Sequence, residues 1–251
     1  MAQGPPIIEV VDLYKSFGSN QVLRGVNLAV EEGSTCVIMG TSGSGKTVLM
    51  KHLIGLLKPE RGQVLVEDED IVPMGPEQLA LVRRKFGMVF QGSALFDSMT
   101  VFENVSFPLR EHTKMTEAEM RDAVRHRLQI VGLNGVEDKY PADLSGGMRK
   151  RVGLARAIVL DPKIVLYDEP TTGLDPITTD YVDQMIIDAK RALGVTSVVI
   201  SHDVASSFKV GDTIAFLTDG KIVAQLPPKK LRQSQHPAVK LFLSSWFEKY
   251  D

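Results

Sequence analysis

TCVIMGTSGSGKTVLM, Thr35 to Met50, changes period partway along, and that change decides the fold. TCVIMG (Thr35–Gly40) is a short apolar, partly β-branched run, as a buried strand requires. Val48, Leu49, Leu53, Leu56 and Leu57 then recur at helical spacing until Pro59 stops them. Between strand and helix lies GTSGSGKT, that is Gly40, Thr41, Ser42, Gly43, Ser44, Gly45, Lys46 and Thr47, which matches G-x-x-x-x-G-K-[ST]. The glycines let consecutive backbone N–H groups face inward, so a phosphate chain can lie against amides and the positive end of the following helix. On this reading Lys46 bridges the β and γ phosphates of a nucleotide and Thr47 offers its hydroxyl to Mg²⁺. A chance glycine-rich turn is the competing reading, and the position between strand and helix disfavours it.

Working outward, KFGMVF (Lys85–Phe90), IVLYDE (Ile164–Glu169), SVVIS (Ser197–Ser201) and TIAFLT (Thr213–Thr218) are further short apolar runs, with helical patterns between most of them. This alternation predicts an α/β fold, a parallel sheet covered by helices. From the Lys85 strand to the Ile164 strand the pattern is wholly helical, and Thr116, Glu117, Ala118, Glu119 opens one helix as a capping box. That stretch reads as a helical lobe inserted into the sheet domain. Asp219-Gly220 joins two short strands as a hairpin, which predicts a small antiparallel part. The expected organisation is a nucleotide-binding α/β core of residues 1–90 and 161–226, a helical lobe of residues 91–160, and a C-terminal helical extension of residues 227–251.

Composition bounds the chemistry. A chain of 251 residues, 43% hydrophobic and 24% charged, suits a globular protein with a sizeable core. Its formal net charge of -2 supplies no general basic field for nucleic acid or an anionic membrane surface, so phosphate chemistry must be local and no nucleic-acid partner is expected. Cys36 is the single cysteine, and MAQGPPIIEV lacks a charged start followed by an apolar run, so the cytoplasm is the expected setting. No apolar run approaches the roughly 18 residues needed to span a bilayer. Any work on a membrane therefore requires a spanning partner.

Two further stretches carry chemistry. IVLYDEPTTGLDP (Ile164–Pro176) ends an apolar strand in Asp168, where a phosphate-loop protein places the carboxylate that orders Mg²⁺; the adjacent Glu169 can serve as a base for water. An exposed acidic turn is the alternative. Asp175 followed by Pro176 reads as N-cap and first residue of the next helix. LSGGMRKRVGLARA (Leu144–Ala157) opens a helix with Ser-Gly-Gly and then places Arg149, Lys150 and Arg151 in its first turns, where cations oppose the macrodipole by up to about 1 kcal/mol each. The competing reading is that these side chains fan into solvent and contact nothing, which is expected of at least one of the three. His52, His112, His126 and His236 lie in or near helical segments without metal-ligand spacing and read as structural or surface residues. In the tail, Val239, Phe242, Leu243, Trp246, Phe247 and Tyr250 share one helical face, which packs either on this subunit's own sheet domain or on a partner.

Taken in order, the phosphate loop, Gln91 after a strand, Leu144-Ser145-Gly146-Gly147-Met148, Asp168-Glu169, the Gly173-Leu174-Asp175 loop and His202 after SVVIS resemble the ATP-binding subunits of ABC transporters over nearly the whole chain. The resemblance implies a RecA-like P-loop NTPase core of the ABC ATPase type, with ATP and Mg²⁺ as cofactors. It implies a twin ATPase subunit: two copies close head to tail on two ATP molecules, Leu144–Met148 of one facing the γ-phosphate held by the other. Glu169 would then activate the attacking water, His202 hold the γ-phosphate and water in line, and Gln91 sense Mg²⁺ and γ-phosphate. Thr47, Gln91 and Asp168 would serve the metal, Asp175 would contact the partner's site, and a polyphosphate would compensate Arg149, Lys150 and Arg151. Phe17, in LYKSFG, falls where the family stacks an aromatic ring on adenine, although a strand-edge core position would also explain it.

FQGSALFDSMTVFENVSFPLREHT (Phe90–Thr113), LSGGM and DPIT (Asp175–Thr178) resemble in particular the Mla and Mce phospholipid-transport branch. That resemblance implies a transmembrane permease, an MCE-domain lipid-binding protein, room for a small STAS-type subunit, and a peripheral location at the cytoplasmic face of the inner membrane. Met148 stands where many members carry Gln, which leaves the backbone amides but removes a polar side chain. Leu95, Phe96, Met99, Val101 and Phe102 lie in the family's permease-contact segment, and packing under the helical lobe competes for about half of them.

Overall fold

The computed structural model describes residues 5–247. They form two compact units, residues 5–83 with 196–247, and residues 84–195. The first unit contains β1 (Ile8–Phe17), β2 (Asn20–Val30), β3 (Thr35–Met39), α1 (Lys46–Leu53), β4 (Arg61–Val66), β5 (Glu69–Asp70) and α2 (Pro76–Arg83). The second contains β6 (Phe86–Val89), α3 (Val101–His112), α4 (Glu117–Ile130), α5 (Gly146–Ala157), β7 (Ile164–Asp168) and α6 (Pro176–Leu193). The chain completes the first unit with β8 (Thr196–Ser201), α7 (Val204–Val210), β9 (Thr213–Thr218), β10 (Lys221–Leu226), α8 (Pro228–Leu231) and α9 (Pro237–Phe247).

In the first unit, β3 pairs in parallel with β8 (Cys36↔Val198, Ile38↔Ile200) and with β9 (Val37↔Ile214), while β10 returns antiparallel to β9 through the Asp219-Gly220 turn. Every residue of β3 and β8 is buried, which is why both read as uninterrupted apolar runs. A second, antiparallel sheet runs β2-β1-β4-β5. Gln225 of β10 joins the two sheets by hydrogen bonds with both the amide and the carbonyl of Ala29. Burial pushes the Cys36 thiol up to about 11 against a smaller opposing hydrogen bond from Thr213, so this cysteine is a core residue and not a reactive one.

The second unit holds the parallel pair β6–β7 (Phe86↔Ile164, Val89↔Tyr167) and four long helices. The Thr116–Glu119 capping box forms, and a second one forms at Thr100, whose hydroxyl accepts from the Glu103 amide while Glu103 accepts from the Thr100 amide at 2.7 Å. Each cap satisfies helix-terminal donors and is worth about 1 kcal/mol. Leu128 of α4 and Val152, Leu154 and Ala155 of α5 are fully buried in this unit.

The tail packs on its own subunit. Val239 and Leu243 are buried, and Phe242 meets Phe216 of β9 edge-on with centroids 5.1 Å apart. The sequence left this face open between self-packing and a partner. Self-packing accounts for Val239, Phe242 and Leu243; Tyr250 and the side chain of Phe247 lie outside the described residues. Leu243→Ala is therefore expected to cost about 2–5 kcal/mol as a lost core side chain. Chemical denaturation would show it as a lower midpoint, and an unchanged midpoint would place Leu243 on a surface.

Candidate functional site

Chemistry-bearing residues occur in both units. In the first, β3 delivers the chain to Gly40, where a Cβ would lie 2.1 Å from the Leu217 carbonyl oxygen, so only glycine permits this approach to β9. Gly43 (φ 77°) and Gly45 (φ 103°) then carry the loop through left-handed conformations into α1. No side chain caps α1, so its first amides stay available to an anion. Lys46 is buried, and its ammonium donates to the carbonyls of Gly40 at 2.9 Å and Thr41 at 3.1 Å. Those bonds hold the cation across the loop's own mouth.

A cavity of about 230 Å³ opens beside this loop, lined by Thr41, Ser42, Gly43, Ser44, Asn20 and Gly220 among others. The Ser44 hydroxyl is buried without a hydrogen-bond partner among the described residues. An uncapped helix start, a poised ammonium and an orphaned hydroxyl suit a polyphosphate. Thr47 and His202 are both exposed. His202 directly follows β8 and precedes Asp203, whose carboxylate caps α7 by accepting from the Ser206 amide at 3.0 Å. Exposure keeps His202 out of the core. It also removes the core reading of Phe17, which ends β1 at 49% exposure with the Lys15 ammonium 5.4 Å from its ring centre.

In the second unit, Asp168 is the last residue of β7, and Glu169 follows at φ 48°, a positive value that costs a non-glycine residue energy. The Glu169 carboxylate accepts from the Thr172 hydroxyl at 2.9 Å, which aims it along its own turn. Gln91 is exposed, just past β6. Asp175 caps α6, accepting from the amides of Ile177 and Thr178 at 3.0 Å each; the Thr178 hydroxyl, followed by these amides, holds its carboxyl below the usual range. Ser145 caps α5 by accepting from the Met148 amide at 3.2 Å, and a Cβ at Gly147 would meet nothing within 4 Å. The Ser145–Gly147 face is open to an approaching group.

The three cations of α5 correct the expectation that at least one of them contacts nothing. Each has a backbone partner, the exposed Arg149 included: Arg149 donates to the Leu144 carbonyl, Arg151 to the Gly132 carbonyl at 3.0 Å, and Lys150 to the Gln91 carbonyl at 3.1 Å and the Pro170 carbonyl. Backbone acceptors thus take over the compensation that the helix dipole withholds. The sequence also left Asn104 unread. Fully buried on α3, it accepts from the Phe96 amide at 2.8 Å and donates to the carbonyls of Phe96, Met99 and Thr100, fixing the loop that follows Gln91. Of the apolar residues there, Val101 and Phe102 are core, whereas Phe96 is exposed and meets the Phe107 ring at a tilt of 54°, with centroids 5.4 Å apart.

Comparison with known proteins agrees with these features. The family described as ABC transporter matches residues 23–172. The chain is 46% identical over 237 residues to the "Probable ribonucleotide transport ATP-binding protein mkl" of Mycobacterium leprae, covering 94% of this chain and 68% of that protein. It is 41% identical to the "Intermembrane phospholipid transport system ATP-binding protein MlaF" of Haemophilus influenzae, covering 94% of this chain and 90% of that protein. Among solved structures, cbiO1 from Clostridium perfringens, part of the ABC transporter complex cbiONQ, superposes with a TM-score of 0.86 at 29% identity over 96% of both chains. The ATP-binding cassette MJ0796, a dimer bound to ADP and Pi, does so at 0.78 with 31% identity over 88% of this chain and 98% of that one.

Proposed function

The chain belongs to the ABC transporter family and is an ATPase, and from that premise we propose that its ATP hydrolysis drives phospholipid transport between inner and outer membranes through an MCE-type complex. The likeness to MlaF along nearly the full length of both proteins carries this reading. The mkl proteins, named for ribonucleotide transport, favour a second: the same motor with a different permease and cargo.

Within the motor, Lys46 and the amides of Gly43 to Thr47 hold the β and γ phosphates of ATP. Thr47, Gln91 and Asp168 all offer oxygen donors, the hard ligands that Mg²⁺ takes beside substrate phosphates. The metal, when bound, neutralises charge developing on the phosphoryl oxygens. Glu169 accepts a proton from the attacking water, and His202 orients that water and the γ-phosphate. Phe17 offers a ring face to adenine. Ser145, Gly146, Gly147 and Asp175 serve the nucleotide of a twin subunit, and the helical lobe of residues 91–160, with Phe96 in its exposed loop, meets the permease. No helix among the described residues is long and apolar enough to cross a membrane. Membrane location then rests on that permease at the cytoplasmic face of the inner membrane, with an MCE-domain protein and a small STAS-type subunit as further partners.

A mild-detergent pull-down of the tagged chain from its native membranes, with mass spectrometry of proteins and lipids, tests the proposal. A multi-span permease with an MCE-domain protein and bound phospholipid is the expected result. A different permease with no lipid would keep the motor and discard the cargo.

A further inference from the structure

Lys150 is the one cation of the α5 helix that is both buried and bonded to two separate loops. Its ammonium joins the Gln91 carbonyl, at 3.1 Å, to the Pro170 carbonyl, and so lies one peptide from Glu169. Both loops are segments that the backbone alone would not hold: Ser93 (φ 63°), Ala94 (φ 45°) and Glu169 (φ 48°) are all non-glycine residues in the left-handed region. Further along the same helix, Arg156 donates to the carbonyls of Ser93 at 2.9 Å and Ala94 at 2.8 Å. Gly153 lies against the same loop, where a Cβ would come within 3.3 Å of Ser93 Cβ. The helix thus clamps the Gln91 loop at both ends and reaches the Glu169 turn from one of those clamps. Burial lowers the pKa of the ammonium, and two carbonyl acceptors offset the cost of placing it there.

We propose that Lys150 is a positioning residue for hydrolysis, tying the Gln91 loop to the Glu169–Pro170 turn so that both move with the helix that Ser145 caps. This deepens the ATPase reading and rests on Glu169 acting on the attacking water. No atom of Lys150 touches substrate; it acts through main chain that carries Gln91 and Glu169.

Lys150→Met keeps the apolar stem and removes every donor. In the full chain it is expected to lower kcat for ATP by about 10- to 100-fold with KM within about twofold, because Lys46, the phosphate-loop amides and Phe17, which supply most of the nucleotide contacts in this reading, lie outside these loops. Lys150→Arg, which can still donate to both carbonyls, is expected to recover most of the loss. Combined with Gln91→Ala, Lys150→Met should reduce kcat no further than the worse single variant, since both act on one unit. A Lys150→Met enzyme that melts earlier yet turns over within twofold of the parent would overturn the proposal, as would effects that multiply with Gln91→Ala. If Lys150→Met fails to fold at the assay temperature, Lys150→Leu, which likewise carries no donor, is read by the same criteria. Glu169→Gln serves as the separating control: normal turnover there would remove the base role itself, whereas loss of turnover there with a normal Lys150→Met would remove only the positioning role.

Discussion

Glu169→Gln is expected to slow steady-state ATP turnover by about 10²- to 10³-fold while leaving ATP binding intact, the signature of a lost general base. A hundredfold loss corresponds to about 2.7 kcal/mol of transition-state stabilisation. The substitution is conservative where conservation matters: a Gln amide oxygen can still accept from the Thr172 hydroxyl, and it inherits the same positive φ, so the turn keeps its shape. What it loses is the proton acceptor. Because Lys46 and its loop bonds to Gly40 and Thr41 are untouched, the variant fills with ATP and Mg²⁺ and accumulates as a closed dimer. Size-exclusion chromatography with and without ATP, alongside single-turnover kinetics, reads both effects. Turnover within about threefold of the parent would strip Glu169 of its role and leave the acidic turn as a local device held by Thr172.

The parts of this molecule that were legible in the sequence are those where one physical requirement dominates. Strands buried on both faces, such as β3 and β8, leave uninterrupted apolar runs, and the loop after β3 must be glycine where the Leu217 carbonyl approaches. The antiparallel sheet was far less visible. Along β1 the alternation breaks at a bulge between Val10 and Leu13, around Asp12 at φ 49°, so the period-2 signal is lost where the strand turns over. One boundary moved by a residue for a local reason: Glu169 leaves β7 because its φ is positive. The partners of Arg149, Lys150 and Arg151 were hidden because backbone carbonyls carry no side-chain signature. Helical spacing does not single one out: Lys150 stands four residues before the buried Leu154, and Arg151 four before the buried Ala155.

Ser145→Arg is expected to abolish turnover, by at least about 10²-fold, while the same chain still binds ATP through its own phosphate loop. Two effects combine at that position. The Ser145 hydroxyl caps α5 by accepting from the Met148 amide, and losing a cap costs about 1 kcal/mol of local stability. Ser145→Ala isolates that cost, since it removes the cap without adding bulk. The larger effect is steric: Ser145 and Gly146 are exposed, and nothing would meet a Cβ at Gly147, so this face presents bare amides that a long side chain would cover. If those amides serve the nucleotide of a twin subunit, the defect belongs to the partner's site and not to the chain that carries it. Mixing Ser145→Arg with a Lys46→Ala chain then places an intact phosphate loop opposite an intact Ser145 face at one site of every mixed dimer. Random pairing makes half the dimers mixed, each with one of two sites restored, so recovery to about a quarter of parental turnover is the ceiling for independent sites. Loss of ATP binding by the isolated Ser145→Arg monomer would refute the head-to-tail assignment, because the face would then serve its own nucleotide. An absence of recovery in verified mixed dimers would instead show that one complete site does not turn over alone.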